Sequence, residues 1–541
     1  MTQGTQVTTE PASVHAAFLQ SAARWPKRPF LDVLPETAAA YGASEGALTY
    51  EDAAAMVEVL AESYRGEGYG RGHRVALLLE NRPVFFLHWF ALNACGCSVV
   101  PINPDLRAAE LEYLLAHSEV VLAVAIEARQ DDLRAAAPGL PVIGPDYVPP
   151  PAPGAALPAV ADPASEAALL YTSGTTGLPK GCVVSQTWFL ECGRWYARMG
   201  GLCALVPGEE RMLTPLPFFH MNAMATSTMS MVLSGGCLIP LDRFHPTTWW
   251  DSVNRAKATI VHCLGVMPAI LMKLPVSAAE RSHQVKFAFC PGTDRRMHAA
   301  AEARFGIPLI DAWAMTETGA GAVISAQHEP RRVGQSCFGR VEPFMEARII
   351  RDDGSDIGAD EAGELLVRHA GADPRHGFFT AYLKDPAATD AAWEGGWFHT
   401  GDIVSRNGAG DFTFIDRKKN VIRRSGENIA AVEVEGVLLQ HPLIQAVAVA
   451  AVPDALRGDE VMALVVPHAK PDDPAEAATG IVAWCLSRLA YYKAPGYVAF
   501  LEALPLTATN KVQRGVLKDL ALGLQTALGT IDTRAMKKRS A

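Results

Sequence analysis

Short apolar runs alternate with helical patterns along the first third of the chain. RVALLLEN (74–81) is apolar through its centre and predicts a buried strand. AAELEYLLAHS (108–118) predicts an amphipathic helix, and VVLAVAI (120–126) a second strand. This alternation predicts parallel sheets flanked by helices, an α/β class. The most membrane-like run, PVFFLHWFALNACGCSVV (83–100), is interrupted by His88 and Asn93 and is too short to span a bilayer. It predicts a buried helix entering a strand, with no membrane span.

The pattern changes along the chain. VPPPAPGAALPAVADPAS (148–165) is too rich in proline and alanine for regular structure and reads as an ordered surface connector or a flexible link. Segments rich in Gly and Asp over 334–415 read as a β-rich subdomain. DRKKNVIRRSGENIAAVEVEGVLLQHP, from residue 416, opens a shorter strand-and-helix region ending near residue 520. The tail DTRAMKKRSA reads as a mobile, solvated end. A chain of 541 residues exceeds one ordinary core, so at least two domains are expected.

Composition narrows the classes. A net charge of −10 argues against nucleic acid as a main partner, which calls for a basic face. Ten cysteines without CxxC pairs, and no secretory signal ahead of them, suit a reducing cytoplasm. Cys95-Gly96-Cys97 has no second ligand pair and reads as helix-end packing rather than a metal site.

The candidate chemistry starts at YTSGTTGLPKG (171–181), directly after the apolar Ala167–Leu170. Such a loop offers backbone N–H groups and hydroxyl donors without bulk, and Lys180 adds a positive charge, a set suited to phosphate. The spacing is not that of the GxxxxGK[ST] loop, and Pro179 disfavours a helix starting at Lys180.

The loop resembles the phosphate-loop signature of the adenylate-forming superfamily, which includes acyl- and aryl-CoA synthetases, peptide-synthetase adenylation domains and beetle luciferases. Five further segments follow in that family's order: PLPFFHMNA (215–223), DAWAMTETG (311–319), GGWFHTGD (395–402), DRKKNVIRRSGENI (416–429) and PLTATNKVQR (505–514). Over 416–453 the chain looks most like crotonobetaine/carnitine-CoA ligases and short- or medium-chain acyl-CoA synthetases. The resemblance implies a large N-terminal domain (1–415) that takes ATP and the acid. A small mobile α+β C-terminal domain (416–541) would carry the catalytic lysine.

What it implies for chemistry is specific. A carboxylate resists thiol attack, and joining it to AMP supplies a good leaving group. The first step brings an anion to a polyanion, so fixed cations, dipoles and Mg²⁺ are needed around ATP. Thr172, Ser173, Gly174, Thr175, Thr176, Gly177 and Lys180 would hold the β/γ-phosphates. Thr316 would contact the α-phosphate and Glu317 would ligate Mg²⁺. Trp313, where a tyrosine is usual, would stack on adenine, and Asp402 and Arg417 would grip the ribose. Lys511 would bridge carboxylate and α-phosphate, charged at neutrality. Asp416 matches the hinge about which the C-terminal domain rotates between half-reactions. After rotation Gly426 would pass close to the acyl-thiol tunnel, with Arg423 near the intermediate.

The acid is less defined. Amino-acid adenylating relatives place an aspartate where this chain has His220, Met221 and Asn222, which lowers that reading. His220 would gate the pocket rather than select the acid, with a histidine packed at a helix start as the alternative. The run MNAMATSTMSMVLSGG (221–236) reads as a wall for a compact, neutral or lightly polar acyl group. Arg295 and Arg296 read as surface charges, with recognition of an acidic substrate as the alternative. Three functions stay open: an ATP-dependent acid–CoA ligase, which leads; a stand-alone adenylation enzyme loading a carrier protein; and a non-enzymatic nucleotide-binding relative. The expected partners are a small carboxylic acid, ATP and coenzyme A, and oligomeric state, a homo-oligomer included, is left open.

Overall fold

A computed structural model describes residues 10–158, 162–172, 178–351, 353–417, 422–429, 431–505, 512 and 514–538; for residues 416, 417, 428, 432, 514 and 515 it describes the backbone alone. Two sheets of seven strands each form the centre of the N-terminal part, among the described residues. One pairs Pro29–Val33, Arg211–Thr214, Cys237–Pro240, Ile260–His262, Phe287–Phe289 and Leu309–Ile310 in parallel, with Gly46–Thr49 antiparallel at one edge. The other runs parallel from Val142–Ile143 through Leu122–Ala125, Arg74–Leu78 and Ser98–Pro101 to Glu166–Thr172. It then continues antiparallel into Lys180–Ser185 and Ala381–Tyr382.

Side-chain alternation in Arg74–Leu78 explains the layering. Val75 and Leu77 face a large aromatic-rich core, and Ala76 and Leu78 face a second core under the helices Ala108–Ser118 and Glu127–Ala136. The helix Pro83–Ala94 is buried from Phe85 to Asn93, as an apolar stretch with no polar face requires. His88 is buried there between the Tyr64 hydroxyl and the Pro145 carbonyl, 2.8 and 2.9 Å away. Cys95 and Cys97 donate to the carbonyls of Ala61 and Gly70, which is packing.

Residues 337–417 add an antiparallel sheet, ordered Cys337–Gly339, Phe412–Arg417, Phe398–Arg406, Ala362–His369 and Met345–Ile350. Described residues from Ile422 onward build a further sheet around Ile444–Asp454 and Gly458–Pro467. Its two faces form cores that share no residue with those of the N-terminal part.

The tail departs from expectation. Ile531–Asp532 pairs with Tyr497–Phe500, and Arg534 pairs with Asp454 and Asp532. Lys537 is fully buried against Glu460, itself paired with buried Arg424. A lysine in a basic run reads as solvated, but this one finds a buried carboxylate and stays inside. No helix among the described residues is long and apolar enough to cross a membrane.

Candidate active site

The strands Glu166–Thr172 and Lys180–Ser185 are antiparallel partners, with Thr172 opposite Lys180. Ser173, Gly174, Thr175, Thr176 and Gly177 lie outside the described residues. Lys180 opens a strand, as Pro179 requires, and its ammonium lies 4.6 Å over the Tyr382 ring and 3.6 Å from Asp385. The same Tyr382 donates from its hydroxyl to Glu317 at 2.9 Å. One tyrosine thus joins the loop lysine to the candidate metal carboxylate.

Glu317 is buried, and among the described residues it forms no ion pair with lysine or arginine. Cys182 lies beside it, its thiol pushed far up by burial and by that carboxylate. A buried carboxylate that no described lysine or arginine neutralises suits a hard divalent cation. No cluster of three or more potential ligands occurs among the described residues. Thr316 precedes it, its carbonyl accepting from the Trp188 indole at 3.1 Å. Gly319, at φ +52°, lets the backbone pass that indole, because a Cβ there would lie 2.3 Å from Trp188 Nε1.

Trp313 is 6% exposed, and its indole N–H donates to Asp402 at 2.8 Å. Asp402 and Arg417 are cross-strand partners in the antiparallel sheet, which puts the two candidate ribose residues on one ladder. Asp416 is the next residue, opposite Ile403. Asp311 was not anticipated as a site residue. Its carboxylate accepts from the backbone N–H groups of Gly292 and Ala312, both at 2.9 Å, and ties the CPGT turn to the DAWAMTETG segment. Burial raises its pKa to about 6 against those bonds.

The segment after His220 is more deeply packed than a pocket wall would be. Of residues 221–236 only Met221, Asn222 and Leu233 keep partial exposure. Asn222 is fixed from behind by His262, whose Nδ1 lies 3.1 Å from the Asn222 amide oxygen and 2.7 Å from Ser227 Oγ. The Tyr196 hydroxyl is 2.6 Å from Nε2. Burial lowers the His262 pKa to about 3, so the ring is neutral. Arg296 is 81% exposed and paired with Asp294, a surface charge as expected.

The C-terminal part meets this surface through the turn of the hairpin Ile422–Arg424 and Glu427–Ile429. Gly426 sits at φ +89° against Leu264. His220 Nε2 and Glu427 Oε2 are 3.4 Å apart. Arg423 is exposed, with its guanidinium 5.1 Å from the Phe414 ring. Thr172, His220 and Thr316 on one side and Glu427, Val437 and Leu489 on the other enclose a cavity of about 620 Å³. Lys511 lies outside the described residues.

Residues 18–373 match the family described as AMP-binding enzyme, and residues 433–511 match the AMP-binding enzyme C-terminal domain. A crotonobetaine/carnitine–CoA ligase of Salmonella choleraesuis (strain SC-B67) is 29% identical over 508 residues, covering 89% of this chain and 96% of its own. Among solved structures, a double mutant of the Bacillus subtilis o-succinylbenzoate CoA synthetase bound with a product analogue is 25% identical. It covers 93% of this chain and 98% of its own, with a TM-score of 0.80. The same synthetase with its acyl-adenylate intermediate is 24% identical at the same coverage, with a TM-score of 0.65. The chain belongs to the AMP-binding enzyme family.

Proposed function

We infer that this chain is an ATP-dependent acid–CoA ligase. It activates a carboxylic acid as acyl-AMP with release of pyrophosphate, then transfers the acyl group to coenzyme A. The observation that carries the reading is the cavity between the two parts, with Thr172, His220 and Thr316 on one wall and Glu427 of the 422–429 hairpin on the other. Its relatives support it: one is named a CoA ligase, and the shape matches a CoA synthetase better with a product analogue than with an adenylate. The arrangement is the one suited to the thiol step.

In the first half-reaction, Thr172, the 173–177 loop and Lys180 bind the β/γ-phosphates. Asp402 and Arg417 orient the ribose. A carboxylate oxygen attacks the α-phosphorus, and Lys511 and Thr316 stabilise the charge gathering there. Losing one such donor costs about 3–4 kcal/mol. Glu317 would hold Mg²⁺, which would supply neutralisation of the phosphate charge. Tyr382 keeps the Glu317 carboxylate in place while its ring carries the Lys180 ammonium.

Rotation about Asp416 then withdraws Lys511 and brings the Gly426 turn against Leu264, a close approach that a side chain at this position would block. His220 gates the acyl side, held by Glu427. The thiol attacks the acyl carbon, the thioester bond forms, and AMP leaves with the electron pair. On the acyl side the cavity is lined by His220 and Met221. The test is pyrophosphate release across a panel of short branched, hydroxylated, betaine-type, aryl and long-chain acids, with and without CoA. Acid-dependent release with thioester only when CoA is present supports the reading. Release without thioester moves it to carrier-protein loading.

A further inference from the structure

A buried polar contact also joins the two parts, besides His220 with Glu427 and the exposed Lys273 ammonium on the Ala455 carbonyl at 3.3 Å. The Lys493 ammonium donates to Glu110 at 2.6 Å and to Glu433 at 2.8 Å, and all three side chains are under a tenth exposed. Beside it, the Asn103 amide donates to the buried Tyr492 hydroxyl at 2.9 Å. Glu433 and Lys493 belong to the C-terminal part and move together. Glu110, on the helix Ala108–Ser118, belongs to the N-terminal part. Any rotation of the C-terminal part therefore breaks the Glu110–Lys493 bond and keeps Glu433–Lys493. A buried charge pair is strong only while both partners are in place, so its geometry selects one orientation.

We propose that Glu110 is a positioning residue for thioester formation: bonded to Lys493, it holds the C-terminal part in the orientation that sets Gly426 and Glu427 against the N-terminal part. It acts through that docking and not on the reacting atoms. The adenylation orientation breaks the bond, so Glu110 has no role in forming acyl-AMP. The assignment rests on the acid–CoA ligase reading.

Glu110→Gln is the variant of choice. Glu110 also accepts from the Arg107 backbone N–H at 3.0 Å in a capping box, and glutamine preserves that acceptor while removing the charge. The two half-reactions are followed separately, as the pyrophosphate burst without CoA and as thioester formation from preformed adenylate at saturating CoA. The expected result is an unchanged burst with thioester formation slowed roughly tenfold or more, the size that loss of one partner of a desolvated pair implies. Glu110→Asp, which keeps the charge, recovers much of that rate. A full thioester rate in Glu110→Gln overturns the assignment. Equal loss in both half-reactions also overturns it, by making Glu110 merely structural. A wild-type enzyme that makes adenylate and no thioester sinks the ligase reading instead, and this assignment with it.

Discussion

Gly426→Ala separates the two half-reactions by a steric route. Gly426 sits at φ +89°, and a Cβ there would lie 2.2 Å from Leu264 Cδ1 across the junction. Two penalties follow, and they act differently. Holding an L-residue at that φ costs about 1–2 kcal/mol wherever the turn is, so it lowers stability in both orientations. The overlap with Leu264 exists only when the turn is docked. Leu264 is partly exposed, and its methyl can yield at the cost usual for overpacking, about 1–3 kcal/mol. Only this second penalty distinguishes the orientations. At about 1.4 kcal/mol per factor of ten, it slows thioester formation roughly 5- to 150-fold. The assay is rapid quench: adenylate is formed first, CoA is added, and thioester is counted against the pyrophosphate burst of the same preparation. The double variant Gly426→Ala/Leu264→Ala should regain most of the rate, because the clashing methyl is gone. A burst reduced as much as the thioester rate, or no rescue by Leu264→Ala, would refute the reasoning.

Two more outcomes follow from other parts of the structure. Glu317→Gln should cut the adenylation rate roughly a hundredfold or more and raise the Mg²⁺ needed for half-maximal burst; an unchanged Mg²⁺ dependence removes Glu317 as the ligand. Burial, and then Arg424, lower the Lys537 pKa to about 7, whereas the unfolded chain holds that proton to about pH 10.4. Between those values the unfolded state binds more protons, so the protein gains stability as pH rises across the window. Lys537→Met removes the buried charge and should melt above wild type at pH 6, with the gap closing toward pH 9; a gap that widens with pH contradicts the account.

Periodicity carried far for local elements. The helix Ala108–Ser118 has the expected bounds, and the apolar run after Arg82 is the expected helix and strand, Pro83–Ala94 and Ser98–Pro101. The run at 74–81 overshot its strand, which stops at Leu78, and Glu80 follows in the left-handed region at φ +56°. Spacing alone was silent on contacts between distant segments. Glu110 and Lys493 stand 383 positions apart, and Tyr382 reaches Glu317 across 65. An apolar pattern says which side of an element is buried and not which segment covers it. The tail shows the same limit: three basic residues in a row read as solvent-facing, and the buried carboxylate that captures Lys537 lies 77 positions earlier.

The most direct measurement of the central claim uses a substrate acid labelled with ¹⁸O in both carboxylate oxygens. Attack of the carboxylate on the α-phosphorus carries one label into AMP, and the thioester keeps the other. The account predicts AMP heavier by one ¹⁸O and a singly labelled thioester, formed together and only with CoA present. Unlabelled AMP, or label appearing in phosphate with ADP as product, would contradict it.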